Sequence, residues 1–535
     1  MRLFLARNWA FRGCLLAFAL VAVLPTLAAL GQSLFPGGRL SVDAYREAAA
    51  AGQGGLLLRS VAIAGGAMLF ALIVGVPLGL LASRTDLPGR RLWWSLCFVP
   101  LLIPPYVMAT CLIELLGTHG LVSGWLRGVL GPGTTGVSPY GPLRAALSLG
   151  LSFWPVAAVL TGWGARGVDP ELEDAAKLET TPLGTLRRVT LPVTAPAIYA
   201  AALFAFLLAI TDLGAPDVLY TTVYTTAVLE RYTAGASVPV GAATATPLVL
   251  IGLLVAGAAY LAARQSAPAM QPAHAPSLLA LGPWRWSLTI AVAGLLLLVV
   301  GLPVAALVRS ADGGESYARV WLDSWPQFAR SAAYSGLATA VALVLAWPVA
   351  YALARPAGPA ARAVGLAAVL PVAVPAIFVG LGMLIAWQSW WPTQGPLAQA
   401  RWLGLPVGYA AHLAPFAVGA LAASLAQRSV ELEEDAILAG ASLLQLWRHA
   451  AANLARPGIF AGAAIVFILG IREYAITLLI APPGGDTATL QLLQLMHYGA
   501  DERVAAMSLM LIGLTLVPAA LLLAVRSAWK QGGTS

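Results

Sequence analysis

Residues 59–84 read RSVAIAGGAMLFALIVGVPLGLLASR, and residues 330–355 read RSAAYSGLATAVALVLAWPVAYALAR. Both stretches open on Arg-Ser (Arg59, Ser60; Arg330, Ser331), carry a late proline (Pro77; Pro348) and close on arginine (Arg84; Arg355), each pair 271 residues apart. The same offset carries Pro100 onto Pro371 and Pro104 onto Pro375. Shared hydrophobicity does not align prolines, because a proline interrupts a helix wherever it falls. The register therefore marks an internal duplication. Each copy is also apolar for long enough to cross a bilayer as a helix.

Outward from this pair the whole chain has the same character. Of 535 residues, 59% are hydrophobic and 10% charged, and the mean hydropathy is +0.81. A soluble globular protein carries nearer ~25% charged residues, so only a bilayer solvates this composition. Further apolar runs predict an all-α polytopic membrane protein with twelve spans. The expected spans lie near 12–31, 60–82, 92–116, 143–163, 194–212, 240–262, 286–308, 331–354, 363–386, 406–427, 458–480 and 504–526. The first run, after Arg2, Arg7 and Arg12, exceeds a signal-peptide core and is expected to stay as an uncleaved helix.

The net charge of +8 does not mark a nucleic-acid binder, since the basic residues are scattered and only Lys177 and Lys530 are lysines. They act as topology determinants. With the N-terminus inside, nineteen of the 31 Lys and Arg residues fall on cytoplasmic segments, and an even span count leaves both termini in the cytoplasm. Cys14, Cys97 and Cys111 lie in apolar stretches without CxxC spacing and read as packing residues.

The duplication divides the chain into a first six-span half, 1–263, and a second, 285–535. Between them lies a Pro- and Ala-rich cytoplasmic linker, 264–284 (RQSAPAMQPAHAPSLLALGPW). Beyond the third span the offset shortens to 261, and the glycine-rich external loop 117–141 absorbs the difference. At this offset Glu173-Asp174-Ala175 falls on Glu434-Asp435-Ala436, and Phe206–Asp212 falls on Phe467–Glu473.

Two internal loops, 164–192 and 428–457, are too long to be turns. Each begins with acids (Glu171, Glu173, Asp174; Glu431, Glu433, Glu434, Asp435) and ends in bases (Arg187, Arg188; Arg448, His449). That order suits the dipole of a short helix presented to the cytoplasm. Two copies at matching places imply two equivalent docking sites.

Here the chain resembles the membrane subunits of binding-protein-dependent ABC importers. Their cytoplasmic loop runs Glu-Ala-Ala, then Gly at the seventh position, then an aliphatic-x-Leu-Pro close. The first copy, EDAAKLETTPLGTLRRVTLP (Glu173–Pro192), keeps the leading Glu173, Ala175 and the close at Pro192, with Asp174 for the first Ala and Glu179 where Gly belongs. The second, EDAILAGASLLQLWRHAAAN from Glu434, carries Asp435 and Ala436 and keeps Gly440, but loses the Leu-Pro close. The resemblance implies a type I permease fold in the bacterial inner membrane, its loops forming coupling helices that sit in clefts of two separate ATP-binding subunits. It also implies a periplasmic solute-binding protein on the outer face. No cofactor is expected on this chain, with ATP and Mg held by the partner ATPase. Fused permeases of this pattern look most like the ferric-iron and thiamine branches.

No nucleotide site is encoded, because neither Lys177 nor Lys530 follows the glycine that a GxxxxGK[ST] loop requires. The histidines do not cluster, so no metal site is expected. Asp212 and Glu473, at equivalent ends of the fifth and eleventh spans, are candidates for the pathway or its outer gate, with local capping as the structural alternative. Glu114 and His412 are expected to pair locally. Gly75 and Gly79 form a GxxxG suited to close helix packing. A proton- or sodium-coupled secondary transporter is the alternative function, but it gives no reason for the matched acid-to-base loops. A membrane enzyme lacks a catalytic constellation.

Overall fold

A computed structural model describes residues 9–117, 120–131, 138, 140–235, 237–266, 279–311, 313–355, 364–365, 368, 370–390, 396–426, 431–442, 445, 452–498 and 501–532. His119, His274, Arg428, Arg448, His449 and most of the linker lie outside them. Apart from one isolated bridge, all regular structure among the described residues is helical. The principal helices of the first half are α1 (Trp9–Ala22), α2 (Leu24–Leu34), α3 (Gly54–Arg84), α4 (Pro105–Leu116), α5 (Pro142–Arg166), α6 (Pro170–Glu179), α7 (Leu191–Thr211) and α8 (Val238–Ser266). Those of the second are α9 (Leu302–Ser310), α10 (Gly314–Ala354), α11 (Ala376–Trp390), α12 (Gly404–Ala426), α13 (Glu431–Leu438), α14 (Ala452–Ile471) and α15 (Asp501–Gly532).

Among the described residues eight helices are long and apolar enough to cross a membrane, or nine when α1 and α2, bent by 51° at Val23, count as one span. The chain is therefore a multi-pass membrane protein, although several expected spans are not single helices. The run 92–116 breaks into Arg90–Leu96, Val99–Leu102 and α4. Pro100, Pro104 and Pro105 cause this, since none of them can donate a backbone hydrogen bond. The run 458–480 ends as α14 at Ile471 and resumes only at Ala475. The expected span 363–386 falls partly outside the described residues, which give α11 from Ala376.

The packing repeats. Helices α3, α5 and α7 form one three-helix bundle, and α10, α12 and α14 form its counterpart. The first crossings are exchanged: α1 packs on α10 and α12, α2 packs on α11, and α9 packs reciprocally on α4. The backbones of α3 and α5 approach closely. A Cβ on Gly75 would stand 2.4 Å from the Trp154 carbonyl oxygen, and one on Gly79 would stand 2.4 Å from that of Ala158. The GxxxG thus works as the sequence suggested: in lipid, where apolar surface gives no preference for helix over solvent, close backbone approach supplies the attraction.

Large apolar side chains remain exposed along these helices, Leu58, Ile73, Leu254 and Val344 among them. Lipid solvates them without penalty. Trp284 and Trp286 are exposed at one end of the molecule, and Trp321 and Trp325 are exposed near the start of α10, as amphipathic rings at a headgroup layer would be. The end of the linker is anchored: Leu279 N–H donates to the Arg84 carbonyl at 2.8 Å, and Leu281 N–H donates to Asp86 Oδ1 at 2.9 Å.

Candidate functional site

At the end of the molecule where α3 stops, the loop 164–192 is a helix, a turn and a second helical start. Asp169 caps α6 by accepting from Glu171 N–H at 2.9 Å, and Pro170 at the first turn needs no donor. The acids Glu171 and Glu173 sit in the first turn and Lys177 in the last, the order the dipole favours. Thr181 then caps a short turn at 182–185, and a π-helical turn at Leu186–Thr190 leads into α7, with Pro192 in its first turn.

The acids do not share one role. Asp174 is exposed and pairs with Lys177 at 2.9 Å, and Ala175, Glu179 and Pro192 are exposed too. Glu173 is fully buried. Arg84, the last residue of α3, donates from Nε to Glu173 Oε1 at 3.2 Å and places Nη2 against Oε2. Thr190 Oγ1 donates to the same Oε1 at 2.7 Å, and Arg84 Nη2 reaches the Val168 carbonyl at 3.4 Å.

The second loop repeats this with a different acid. Arg355, which ends α10, donates from Nη2 to Glu433 Oε1 at 2.9 Å, and Tyr351 OH donates to Glu433 Oε2 at 2.7 Å. Arg355 Nη1 also reaches the Leu425 carbonyl at 3.0 Å. The counterpart of Glu173 is thus Glu433 and not Glu434, an offset of 260 and not 261. The sequence register was one residue off because a run of three acids, Glu433-Glu434-Asp435, fits either way on paper, while only one can be buried against the arginine. Glu434 and Asp435 are exposed, and Ala436 is half-buried.

Gly440 has φ +84° and ends α13: Ala441 N–H donates to the Ala436 carbonyl at 3.0 Å. This is a left-handed helix termination that glycine takes without strain. Thr180 ends α6 in extended backbone instead, at φ −147°. On the outward side of each helix stands a leucine: Leu178 is 89% exposed and Leu438 is 85% exposed, again 260 apart.

A second constellation lies where the halves meet. Asp212 ends α7, and its Oδ1 accepts from Ala215 N–H at 2.9 Å; Glu473 follows α14, and its Oε1 accepts from Ile476 N–H at 3.2 Å. Each thus caps the short helix beyond it (Gly214–Val218; Ala475–Ile480), the local role that the sequence left open. Both nevertheless keep accessible surface. Arg472 lies within electrostatic reach of both carboxylates and of Tyr106. Its Nη1 donates to the Leu101 carbonyl at 3.0 Å, an acceptor that Pro105, lacking an N–H, leaves free. Thr515 Oγ1 likewise donates to the Leu102 carbonyl at 2.8 Å, and Tyr106 OH pairs with Thr489 Oγ1 at 3.0 Å. The proline break in the first half is therefore sealed by polar groups of the second. Sequence reasoning missed Arg472 in this role, because its carbonyl partner lies in the other half and no local pattern signals it. Glu114 also bonds across the halves, accepting from Ser310 Oγ at 2.7 Å. The repeat extends into these caps: Ser60 Oγ accepts from Tyr224 N–H at 2.8 Å, and Ser331 Oγ accepts from Ala488 N–H at 2.9 Å.

Comparison with known proteins gives a consistent class. No family model matches the chain. The chain is 30% identical over 150 residues to a 2-aminoethylphosphonate transport system permease, PhnV, of Salmonella typhimurium, a match covering 28% of this chain and only 54% of that relative's length. It is 30% identical over 162 residues to the molybdenum transport system permease ModB of Escherichia coli, covering 30% of this chain and 68% of ModB. Over 463 residues it is 24% identical to the Fe(3+)-transport system permease FbpB 2 of Haemophilus influenzae, covering 84% of this chain and 86% of that protein.

Proposed function

Because this chain belongs to the permease subunits of ABC transporters, which are transport components and not enzymes, we propose that it is a fused two-half permease of an ATP-driven importer. In this reading residues 1–263 and 285–535 are the halves, each crossing the membrane six times, with both termini in the cytoplasm. Helices α6 and α13 are the coupling helices, and one ATPase subunit binding ATP and Mg docks on each. The observation that carries this is the pair of outward leucines, Leu178 and Leu438, at equivalent places on two short helices that each hold the glutamate of a buried arginine–glutamate pair. Both leucines stand outside the long apolar spans, where a docked subunit would cover them. Asp174, Glu434 and Asp435 surround them with charge and form the rim.

The solute comes from a binding protein on the opposite face and crosses as the halves rock against each other. Asp212 and Glu473, with Arg472 next to Glu473 in the chain, line the closed path. They are half-buried polar groups at the seam, held on breaks of the fifth and eleventh spans where opening would separate them. Ferric iron is the solute best supported, since the likeness to an iron permease runs through both halves. The molybdenum and 2-aminoethylphosphonate permeases match over a single half-length and make an oxyanion the second reading.

The test is reconstitution of the chain with its ATPase and binding protein in vesicles, with uptake of radiolabelled ferric citrate, molybdate and 2-aminoethylphosphonate measured separately. ATP-dependent uptake of iron alone is the expected result. Uptake of an oxyanion instead would reassign the solute, and uptake driven by an imposed proton gradient without ATPase would overturn the class of mechanism.

A further inference from the structure

We infer that the buried pairs Arg84–Glu173 and Arg355–Glu433 are rigid struts, and that these four side chains are positioning residues that carry ATPase movement into the membrane helices. This rests on the reading above that α6 and α13 dock on ATPase subunits.

Burial excludes a direct role in docking. The side chains of Arg84, Glu173 and Glu433 are 0% exposed and that of Arg355 is 7% exposed, so none presents surface to a partner. The same helices show a different face outward. Leu178 lies five positions after Glu173, and Leu438 five after Glu433; at ~100° per residue this turns the acid and the leucine to roughly opposite sides. A push on the leucine side therefore passes through the helix to the acid.

What the acid meets is stiff. A guanidinium offers its donors in a fixed planar fork, and two of them engage the carboxylate in each half. In the first half the group ties α6 to the end of α3, to Val168 beyond α5 and to Thr190 ahead of α7. In the second it ties α13 to the end of α10, through both Arg355 and Tyr351, and to Leu425 near the end of α12. Three bundle helices thus meet at the Arg84–Glu173 pair and two at the Arg355–Glu433 pair.

The pairing also survives a change of chain length. Arginine and glutamate are 89 residues apart in one half and 78 in the other, so the contact is not a by-product of locally similar sequence. The hydroxyl that completes it comes from different places, Thr190 after the coupling helix and Tyr351 before it. The common element is the buried arginine–carboxylate pair, which is what a shared mechanical role requires.

The experiment uses the full chain with its ATPase in lipid nanodiscs. Spin labels at Leu130→Cys and Tyr498→Cys, in a Cys14→Ala, Cys97→Ala, Cys111→Ala background, report the end opposite the coupling helices. Measured are ATPase retention, ATP hydrolysis and the label-distance change on adding ATP with vanadate. In Glu173→Gln, Glu433→Gln the ATPase should remain bound and hydrolysis should stay within about 2-fold, while the distance change falls at least about 5-fold. Arg84→Lys, Arg355→Lys keeps the charges but not the fork, and should lower the change about 2- to 3-fold with the ATPase retained. An unaltered distance change in either variant would overturn the inference, as would loss of the ATPase, which would make the carboxylates docking contacts. If the Gln variant does not reach the membrane, the Lys variant decides by the same criteria. An unmodified chain that binds no ATPase would instead refute the docking reading itself.

Discussion

At the scale of single residues, α6 and α13 each set one buried acid among exposed side chains. Removing Arg84 as Arg84→Ala leaves Glu173 buried without its cation, a loss of about 3–5 kcal/mol for a buried pair broken on one side. Thermal unfolding in detergent should show it as a clear drop in midpoint, whereas Glu179→Ala, on the exposed side of the same helix, should leave the midpoint unchanged. Gly440 poses a purely conformational constraint. Its φ of +84° strains any branched side chain, although a Cβ added there would meet no atom within 4 Å. Gly440→Val should cost about 1–2 kcal/mol locally and uncouple hydrolysis from transport while the chain still inserts; Gly440→Asn should be tolerated. Equal transport by the two variants would show that the helix end does not need its left-handed turn.

The residue scale is also where the sequence was least legible. Acid-rich loops were visible, and so were Arg84 and Arg355 as matched ends of the repeat. That the arginines reach those acids was not, because the contact joins residues 89 and 78 apart and no local pattern encodes it. The one-residue error between Glu433 and Glu434 has the same origin: both are glutamates at a helix start, and only tertiary burial distinguishes them.

At the scale of elements, proline and glycine decide more than hydropathy does. Hydropathy read 92–116 as one crossing, and three prolines made it three short helices. The broken backbone then became useful, since the carbonyls of Leu101 and Leu102 accept from Arg472 and Thr515 of the other half. Arg472→Leu should leave the Leu101 carbonyl without its donor. The expected result is loss of transport with the ATPase still bound, checked by uptake and co-purification on the same preparation. The GxxxG was legible as a pattern and acquires its weight from geometry. Gly79→Leu would force α3 away from α5, costing about 1–3 kcal/mol of overpacking, and should lower the unfolding midpoint more than Gly65→Leu, where nothing stands within 4 Å.

At the scale of the whole molecule, much of the packing comes twice. The bundles α3–α5–α7 and α10–α12–α14, the exchanged first crossings, the two serine caps and the two struts are all paired. Among the departures from symmetry are the hydroxyls of Thr190 and Tyr351 and the cation Arg472, whose counterpart at the 261 offset is Thr211. In the proposed reading α6 and α13 receive paired ATPase subunits, and their closure opens the path at the polar seam around Asp212 and Glu473. The sequence carried this plan through the register of its prolines, arginines and acids. It did not carry the exchange of first crossings, which depends on contacts between halves.

The central claim is that α6 and α13 each receive one ATPase subunit. Native mass spectrometry of the complex released gently from membranes tests it directly. One chain with two ATPase subunits is expected, falling to one on Leu178→Asp or Leu438→Asp alone and to none when both are changed. A chain that leaves the membrane without an ATPase, or one whose two ATPase subunits stay bound in the double variant, would contradict it.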